Sequence, residues 1–218
     1  MTKKYNSAYL KETLYSGVLC DALDEMGYRN QAIGKELMPL KEDDVLFGPA
    51  FTSIATVVYS MPESPLTAQC RVVDQLEKDQ IYVLVTRGEY NCAVFGELFA
   101  TAVQQRKGAG VLLDGYIRDI KSLKKMDLPL FYAGHDPRTS KGRTEINECG
   151  IPVIMHGVTI NPGDIIFGDI DGVVVIPEEI ADEVISKALD TIAKEDTVRN
   201  NLLNGASLEM VYSEIGAI

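Results

Sequence analysis

The sequence predicts an α/β fold, and three observations carry the prediction. Short runs rich in Val, Ile and Leu alternate with longer segments whose apolar residues recur at helical spacing. The middle of the chain reads strand, helix, strand, which implies a parallel pair with a crossover helix. With 218 residues, 46% of them hydrophobic and 24% charged, the chain can bury a sizeable core and is most simply one domain over 1–218.

The elements follow in order. Residues 8 to 27 carry apolar side chains at helical spacing and stop at Gly27, giving one or two helices with a glycine C-cap. Pro and Gly punctuation and β-branched content then place strands around 45 to 60. "SPLTAQCRVVDQLEKD" reads as helix and "QIYVLVTRG" as a short buried strand. "AVFGELFATAVQQRKG" reads as a helix entered through Gly96 and ended at Gly108, and "AGVLLDG" as the strand after it. "LPLFYAG", "IPVIMHGVTI" and "GDIIFGDIDGVVVIP" read as three further strands with Gly-Asp and Asn-Pro-Gly turns. Residues 178 to 204 form a long amphipathic helix, acidic at its start and ended by Gly205.

Charge and composition exclude several function classes. The formal net charge of −11 comes with no dense basic stripe, so nucleic acid is not an expected partner. No apolar stretch is long enough for a membrane span, and "MTKKYNSAYLKETLYSG" lacks the apolar core of a secretory signal, so the expectation is a soluble, cytoplasmic protein without a membrane partner. Cys20, Cys70, Cys92 and Cys149 are far apart and read as buried thiols. With His135 and His156 as the whole histidine complement, a metal would be held largely by oxygen. P-loop, G-x-G-x-x-G and nucleophile-elbow patterns are absent.

Chemistry concentrates in two short stretches, "FGEL" at 95 to 98 and "GYIRD" at 115 to 119. A helix start offers unpaired backbone N–H groups to an anion, and Gly96 lets a ligand approach them. Arg118, just past a strand's carboxyl end, can donate to an oxyanion, and Asp119 and Glu97 can offer hard oxygen to Mg²⁺ or Mn²⁺. Together these parts suit an α-keto acid chelated to a divalent cation, with charge developing on the C2 oxygen. The alternative is that Arg118 and Asp119 are surface residues ending a strand and that Glu97 serves only the helix dipole. Asp169 and Asp171 are either metal ligands or hairpin residues, and His156 reads as a core histidine. The loop from 135 to 145, with His135, Arg138, Lys141 and Arg143, either binds an anionic substrate tail or is a solvated loop or subunit contact.

"AVFGELFATAVQQRKGAGVLLDGYIRD" resembles the RraA-like family, which includes class II pyruvate aldolases acting on 4-hydroxy-4-methyl-2-oxoglutarate and 4-carboxy-4-hydroxy-2-oxoadipate. Those enzymes carry an acidic residue, twenty intervening residues, then Arg-Asp, and Glu97 stands twenty residues before Arg118-Asp119. "CDALDEMG", "FGPAFT", "KGRTE", "NPGDIIFGDIDGVVVIP" and "NLLNGASLEMVY" extend the resemblance over nearly the whole chain.

The resemblance implies a layered α/β sandwich related to swivelling phosphohistidine domains. It also implies a metal-dependent lyase that releases pyruvate from 4-hydroxy-2-oxo acids and decarboxylates oxaloacetate. On that basis Asp119 ligates Mg²⁺ or Mn²⁺, Glu97 holds metal-bound water, and Arg118 contacts the C2 oxygen. Backbone amides from Gly96 through Glu97, Leu98 and Phe99 receive the substrate carboxylate, and Glu195 reaches the metal waters of a neighbouring subunit in a homotrimer or dimer of trimers. Three positions depart from the family pattern: Phe99 stands for Leu, Thr86 for Asp, and Glu97 for the commoner Asp. The family also includes a protein that inhibits a ribonuclease by binding it, so a non-catalytic binder, or a lyase for another sugar-derived acid, is the alternative.

Overall fold

The computed structural model describes residues 6–34, 36–88 and 91–215; the first five residues of the stretch read for a signal lie outside them. Helix α1 (Ser7–Thr13) starts where the Asn6 side chain accepts a hydrogen bond from the Ala8 amide, and α2 (Ser16–Glu25) follows at once. Short strands β1 (Ala32–Ile33) and β2 (Met38–Pro39) lead to the long β3 (Leu46–Val57). Then come α3 (Thr67–Val73), β4 (Ile81–Val85), β5 (Ala93–Phe95), α4 (Glu97–Gln105) and β6 (Gly110–Ile117). The short α5 (Ile120–Leu123) precedes β7 (Leu130–His135), β8 (Thr144–Cys149) and a small hairpin of β9 (Val153–Met155) and β10 (Val158–Ile160). A second hairpin, β11 (Ile165–Asp169) and β12 (Gly172–Ile176), feeds a 3-10 turn (Glu178–Ile180), the long α6 (Ala181–Leu203) and α7 (Leu208–Ile215).

The main sheet runs β1-β12-β11-β3-β4-β6-β7-β2, with β5 beside β6 and β8 beside β3. From β3 through β4 and β6 to β7 the strands are parallel, and from β3 back through β11 and β12 to β1 they are antiparallel. The sequence expectation of a parallel strand pair joined through a helix is met by β4 and β6, which α4 connects.

Three apolar clusters show how the sheet is covered. On one face of the parallel strands, Leu84, Leu113 and Tyr132 pack against Val73 of α3, Val103 of α4 and Leu123 of α5. On the other face, Val83, Leu112 and Phe131 meet Ile166, Val173 and Val175 of the antiparallel strands together with the β9–β10 hairpin. The sheet therefore curls until its two halves face each other, and contact is close: a Cβ at Gly168 of β11 would stand 3.3 Å from the Phe131 ring. The outer side of the antiparallel half, including Phe167 and Val174, is sealed by α1, α2 and α6. The result is the layered α/β sandwich expected from the sequence.

Several element boundaries differ from the sequence reading. The first three residues of "AVFGELFATAVQQRKG" are a strand, and α4 ends at Gln105 with Lys107, not Gly108, in the left-handed conformation (φ 61°). Gly108 is needed instead for closeness, since a Cβ there would stand 2.8 Å from both Leu76 and Val103 side chains. "IPVIMHGVTI" is a hairpin: His156 (φ 47°) and Gly157 (φ 87°) make its turn, so His156 is exposed and not a core residue. Of the four free cysteines, Cys92 is buried, Cys20 and Cys149 are half-buried, and Cys70, in the middle of α3, is exposed. Gly27 and Gly205 do end their helices with positive φ, as read.

Candidate functional site

The site is built where the parallel strands end. Strand β6 delivers Arg118 and Asp119 directly past Ile117, and β5 beside it delivers Gly96 as the N-cap of α4. The two strand ends are tied by the Arg118 amide, which donates to the Phe95 carbonyl at 3.0 Å. Asp119 adopts a left-handed conformation (φ 64°), which an L-residue takes only at some cost, while its carbonyl accepts the amides of Ser122 and Leu123 that begin α5. This tight turn throws the Asp119 carboxylate back across the start of α4. There Oδ2 accepts the Glu97 amide at 3.3 Å and lies 3.6 Å from Arg118 Nε.

Gly96 is required by closeness, not by its backbone angles. Its φ of −160° suits any residue, but a Cβ would stand 2.7 Å from Asp119 Oδ2 and 3.2 Å from Arg118 Cγ. Both side chains remain roughly half exposed, so their charges face a cavity and are not sealed in the core. In α4 the first intrahelical bond is from Ala100 N–H to the Gly96 carbonyl. With the Glu97 amide directed at Asp119, the Leu98 and Phe99 amides are left without partners inside their own helix and open to an anion.

A cavity of about 440 Å³ opens over these groups, lined by Gly96, Leu98, Phe99, Arg118 and Asp119. Its remaining wall comes from Leu66, Cys70, Val73 and Asp74 around α3, from β5, and from Thr139 and Ser140 of the loop after β7. The sequence reading missed the α3 residues, which carry no motif; Thr139 and Ser140 lay inside the basic loop it had singled out.

The other predicted residues divide. The Glu97 carboxylate accepts from Thr101 Oγ1 at 3.0 Å, so it lies along its own helix next to the cavity. Glu195 is not among the cavity residues of its own chain: on α6 it accepts the Tyr15 hydroxyl, whose pKa is raised by burial and then by that carboxylate. Asp169 is structural, its carboxylate accepting Ser16 N at 2.8 Å, Ser16 Oγ at 2.7 Å and Asp171 N at 3.0 Å, which fastens the start of α2 to the β11–β12 turn. In the basic loop, Arg138 is held by Asp136 at 3.0 and 2.7 Å and Arg143 donates to the Thr139 carbonyl at 2.9 Å. That ion pair keeps the Asp136 carboxyl well below its ordinary range.

A metal is tested by the donors present. Among the described residues no three His, Cys, Asp or Glu side chains converge on one point. A hard cation such as Mg²⁺ keeps most of its waters and needs one or two carboxylates, so the Asp119 carboxylate, turned into the cavity with Glu97 one helical position from Gly96, fits such an ion.

Comparison with known proteins places the chain in a family and a fold. The family profile described as RraA-like, Aldolase/RraA, matches residues 17–175. A protein of Halalkalibacterium halodurans named "Putative 4-hydroxy-4-methyl-2-oxoglutarate aldolase" is 30% identical over 195 residues, 88% of each chain. Protein DlpA of Legionella pneumophila is 30% identical over 202 residues, 91% of this chain, although the chain spans only 32% of DlpA's length. The crystal structure of Streptomyces coelicolor RraAS2, described as an unusual member of the RNase ES inhibitor RraA protein family, superposes with a TM-score of 0.76 at 25% identity, covering 91% of this chain and 99% of that one.

Proposed function

We propose that this chain, which belongs to the RraA-like (Aldolase/RraA) family, is a divalent-metal-dependent lyase that cleaves 4-hydroxy-2-oxo acids to pyruvate and a carbonyl compound. The observation that carries the reading is the meeting of Arg118, Asp119 and the open first turn of α4 in one cavity, across Gly96, where a Cβ would crowd the Asp119 carboxylate.

In the retro-aldol step the C4 hydroxyl loses its proton, the C3–C4 bond breaks, and its electron pair moves through C2 to leave the negative charge of an enolate on the C2 oxygen. A guanidinium preorganised beside that oxygen stabilises charge that develops only as the bond breaks. Arg118 meets this requirement, its Nε held near Asp119 and its backbone fixed to β5. The Leu98 and Phe99 amides receive the substrate carboxylate, which orients C2 toward Arg118. Asp119, with Glu97 beside it, would hold Mg²⁺ or Mn²⁺, which supplies Lewis acidity at the 2-oxo acid. Oxaloacetate decarboxylation leads to the same enolate with CO₂ as the leaving fragment.

Glu195 enters the proposal only through a second copy, since in its own chain it is engaged with Tyr15 and lies outside the cavity wall. A homotrimer or dimer of trimers that sets α6 of one subunit beside α4 of the next would also cover Leu98, which is 79% exposed although it is a large apolar residue at the site's rim.

The test is pyruvate release from oxaloacetate and from 4-hydroxy-4-methyl-2-oxoglutarate by chelator-stripped protein with and without added Mg²⁺ or Mn²⁺. Release is expected to require the cation and to fall about 100-fold or more in Asp119→Ala. Cation-independent release, or none, would overturn the reading. The RraAS2 likeness supports a second reading, a ribonuclease-binding protein; a binder would keep affinity for a ribonuclease in Asp119→Ala, whereas a lyase needs none.

A further inference from the structure

Thr101 stands one turn along α4 from Glu97, and its hydroxyl departs from the usual habit of a helical threonine. Inside a helix that hydroxyl ordinarily donates to the backbone carbonyl three or four residues back. Thr197 of α6 does so, its Oγ1 donating to the Ala193 carbonyl at 3.2 Å. Thr101 Oγ1 donates instead to Glu97 Oε1 at 3.0 Å, in a half-buried position. Both residues lie on one helix, four positions apart, so this bond is complete within a single chain and needs nothing from a neighbouring subunit.

The two ends of Glu97 are thereby fixed by different partners. Its amide donates to Asp119 Oδ2 at 3.3 Å, which sets the Glu97 backbone against the carboxylate assigned to the cation. Its side chain is long and loses rotamer freedom whenever it is held in one place, and the Thr101 hydroxyl holds it before any ligand arrives. A carboxylate accepts through both oxygens, so the bond to Oε1 leaves Oε2 to accept from the water of a hydrated cation.

We propose that Thr101 is a positioning residue of the cation site: its hydroxyl sets the Glu97 carboxylate at the start of α4 to hold the water of a divalent cation bound at Asp119. This rests on the lyase reading above, which gives Asp119 and Glu97 those roles. Partners that orient a metal site from behind its ligands change metal affinity by about 10- to 100-fold when removed.

The experiment measures Mn²⁺ binding to the full-length, chelator-stripped protein from the electron paramagnetic resonance signal of the free ion, with pyruvate release from oxaloacetate measured beside it. Thr101→Val keeps the shape and removes the hydroxyl, and is expected to weaken Mn²⁺ binding about tenfold, while Thr101→Ser binds within about threefold of the unaltered protein. Glu97→Ala is expected to weaken binding by about tenfold or more, and adding Thr101→Val to it should change binding by less than about twofold, because the group that Thr101 positions is gone. Unchanged binding in Thr101→Val, a serine variant as weak as the valine one, or losses that multiply in the double variant would each overturn the inference and leave the lyase reading standing on Mn²⁺-dependent pyruvate release. Absence of that release from the unaltered protein removes the lyase reading and this inference with it. Thr101→Ala, which suits a helix interior, carries the same expectation and decides the matter where Thr101→Val does not fold.

Discussion

Arg118 and Asp119 answer to a local rule and to a distant one. Their adjacency past a strand end is written in the sequence, but the direction of the Asp119 carboxylate depends on its left-handed backbone and on Gly96, 23 residues earlier. Gly96→Ala puts a Cβ 2.7 Å from Asp119 Oδ2 while its backbone angles remain allowed. Pyruvate release should therefore fall about 100-fold, as for a misplacement near 1 Å, with the melting midpoint almost unchanged. An unaltered rate would mean that the Asp119 position is not critical. Asp114 tests a different property. Burial raises its carboxyl pKa, opposed by hydrogen bonds from Thr86, whose amide and hydroxyl approach Oδ1 at 2.5 and 2.9 Å. The folded state therefore binds this proton more tightly than the unfolded state, and stability contributed by the neutral form is lost as pH rises from the ordinary 3.8 through the raised value. Asp114→Asn keeps an acceptor for Thr86 and removes the titration, so chemical denaturation across that acidic window should show a flatter decline of stability with pH; an unchanged slope would refute the assignment.

Strand β6 shows what burial on both faces means for an element. Leu113 faces the helices α3, α4 and α5, and Leu112 faces the opposite half of the curled sheet. Both are fully buried, so Leu112→Ala and Leu113→Ala should each cost about 2–5 kcal/mol in denaturant unfolding, by lost transfer free energy and by the cavity left behind. If either substitution cost under about 1 kcal/mol, that face would not be packed as described. A one-sided sheet would make one of the two nearly neutral. The continuous apolar run "GVLLDG" already signals burial on both faces, because a strand wetted on one side alternates. The His156-Gly157 turn was harder to see. The apolar residues around it, Val153, Met155, Val158 and Ile160, alternate with exposed ones on both sides of the turn, and the sequence reading merged them into one strand. The His-Gly pair between two alternating runs was the available signal, since a two-residue hairpin turn needs positive φ at its centre.

At the scale of the whole molecule, the net charge of −11 acts as a diffuse repulsion within the folded chain. Raising ionic strength from about 0.01 M to about 0.15 M shortens the screening length from about 30 Å to about 8 Å. The melting midpoint should rise over that range, and a flat or falling midpoint would show that local pairs outweigh the net charge. Among the described residues no helix is long and apolar enough to cross a membrane.

The sequence by itself determined the α/β class and most helices and strands, and it marked Gly96, Glu97, Arg118 and Asp119 as candidates, of which the fold brings Gly96, Arg118 and Asp119 to one cavity. All of these depend on periodicity, on cap residues or on motif spacing, which are local in the chain. Only the tertiary structure decided that the sheet curls on itself, that Asp169 fastens α2, and that Glu195 binds Tyr15 away from the cavity of its own chain. It also decided the cavity wall, because Leu66 and Val73 near α3, Phe99 and Ala102 on α4, and Thr139 after β7 come from three segments with no mark in common. They share a cavity because parallel strands deliver the loops at their carboxyl ends to one edge of the sheet, and that convergence depends on strand order, which no local pattern encodes.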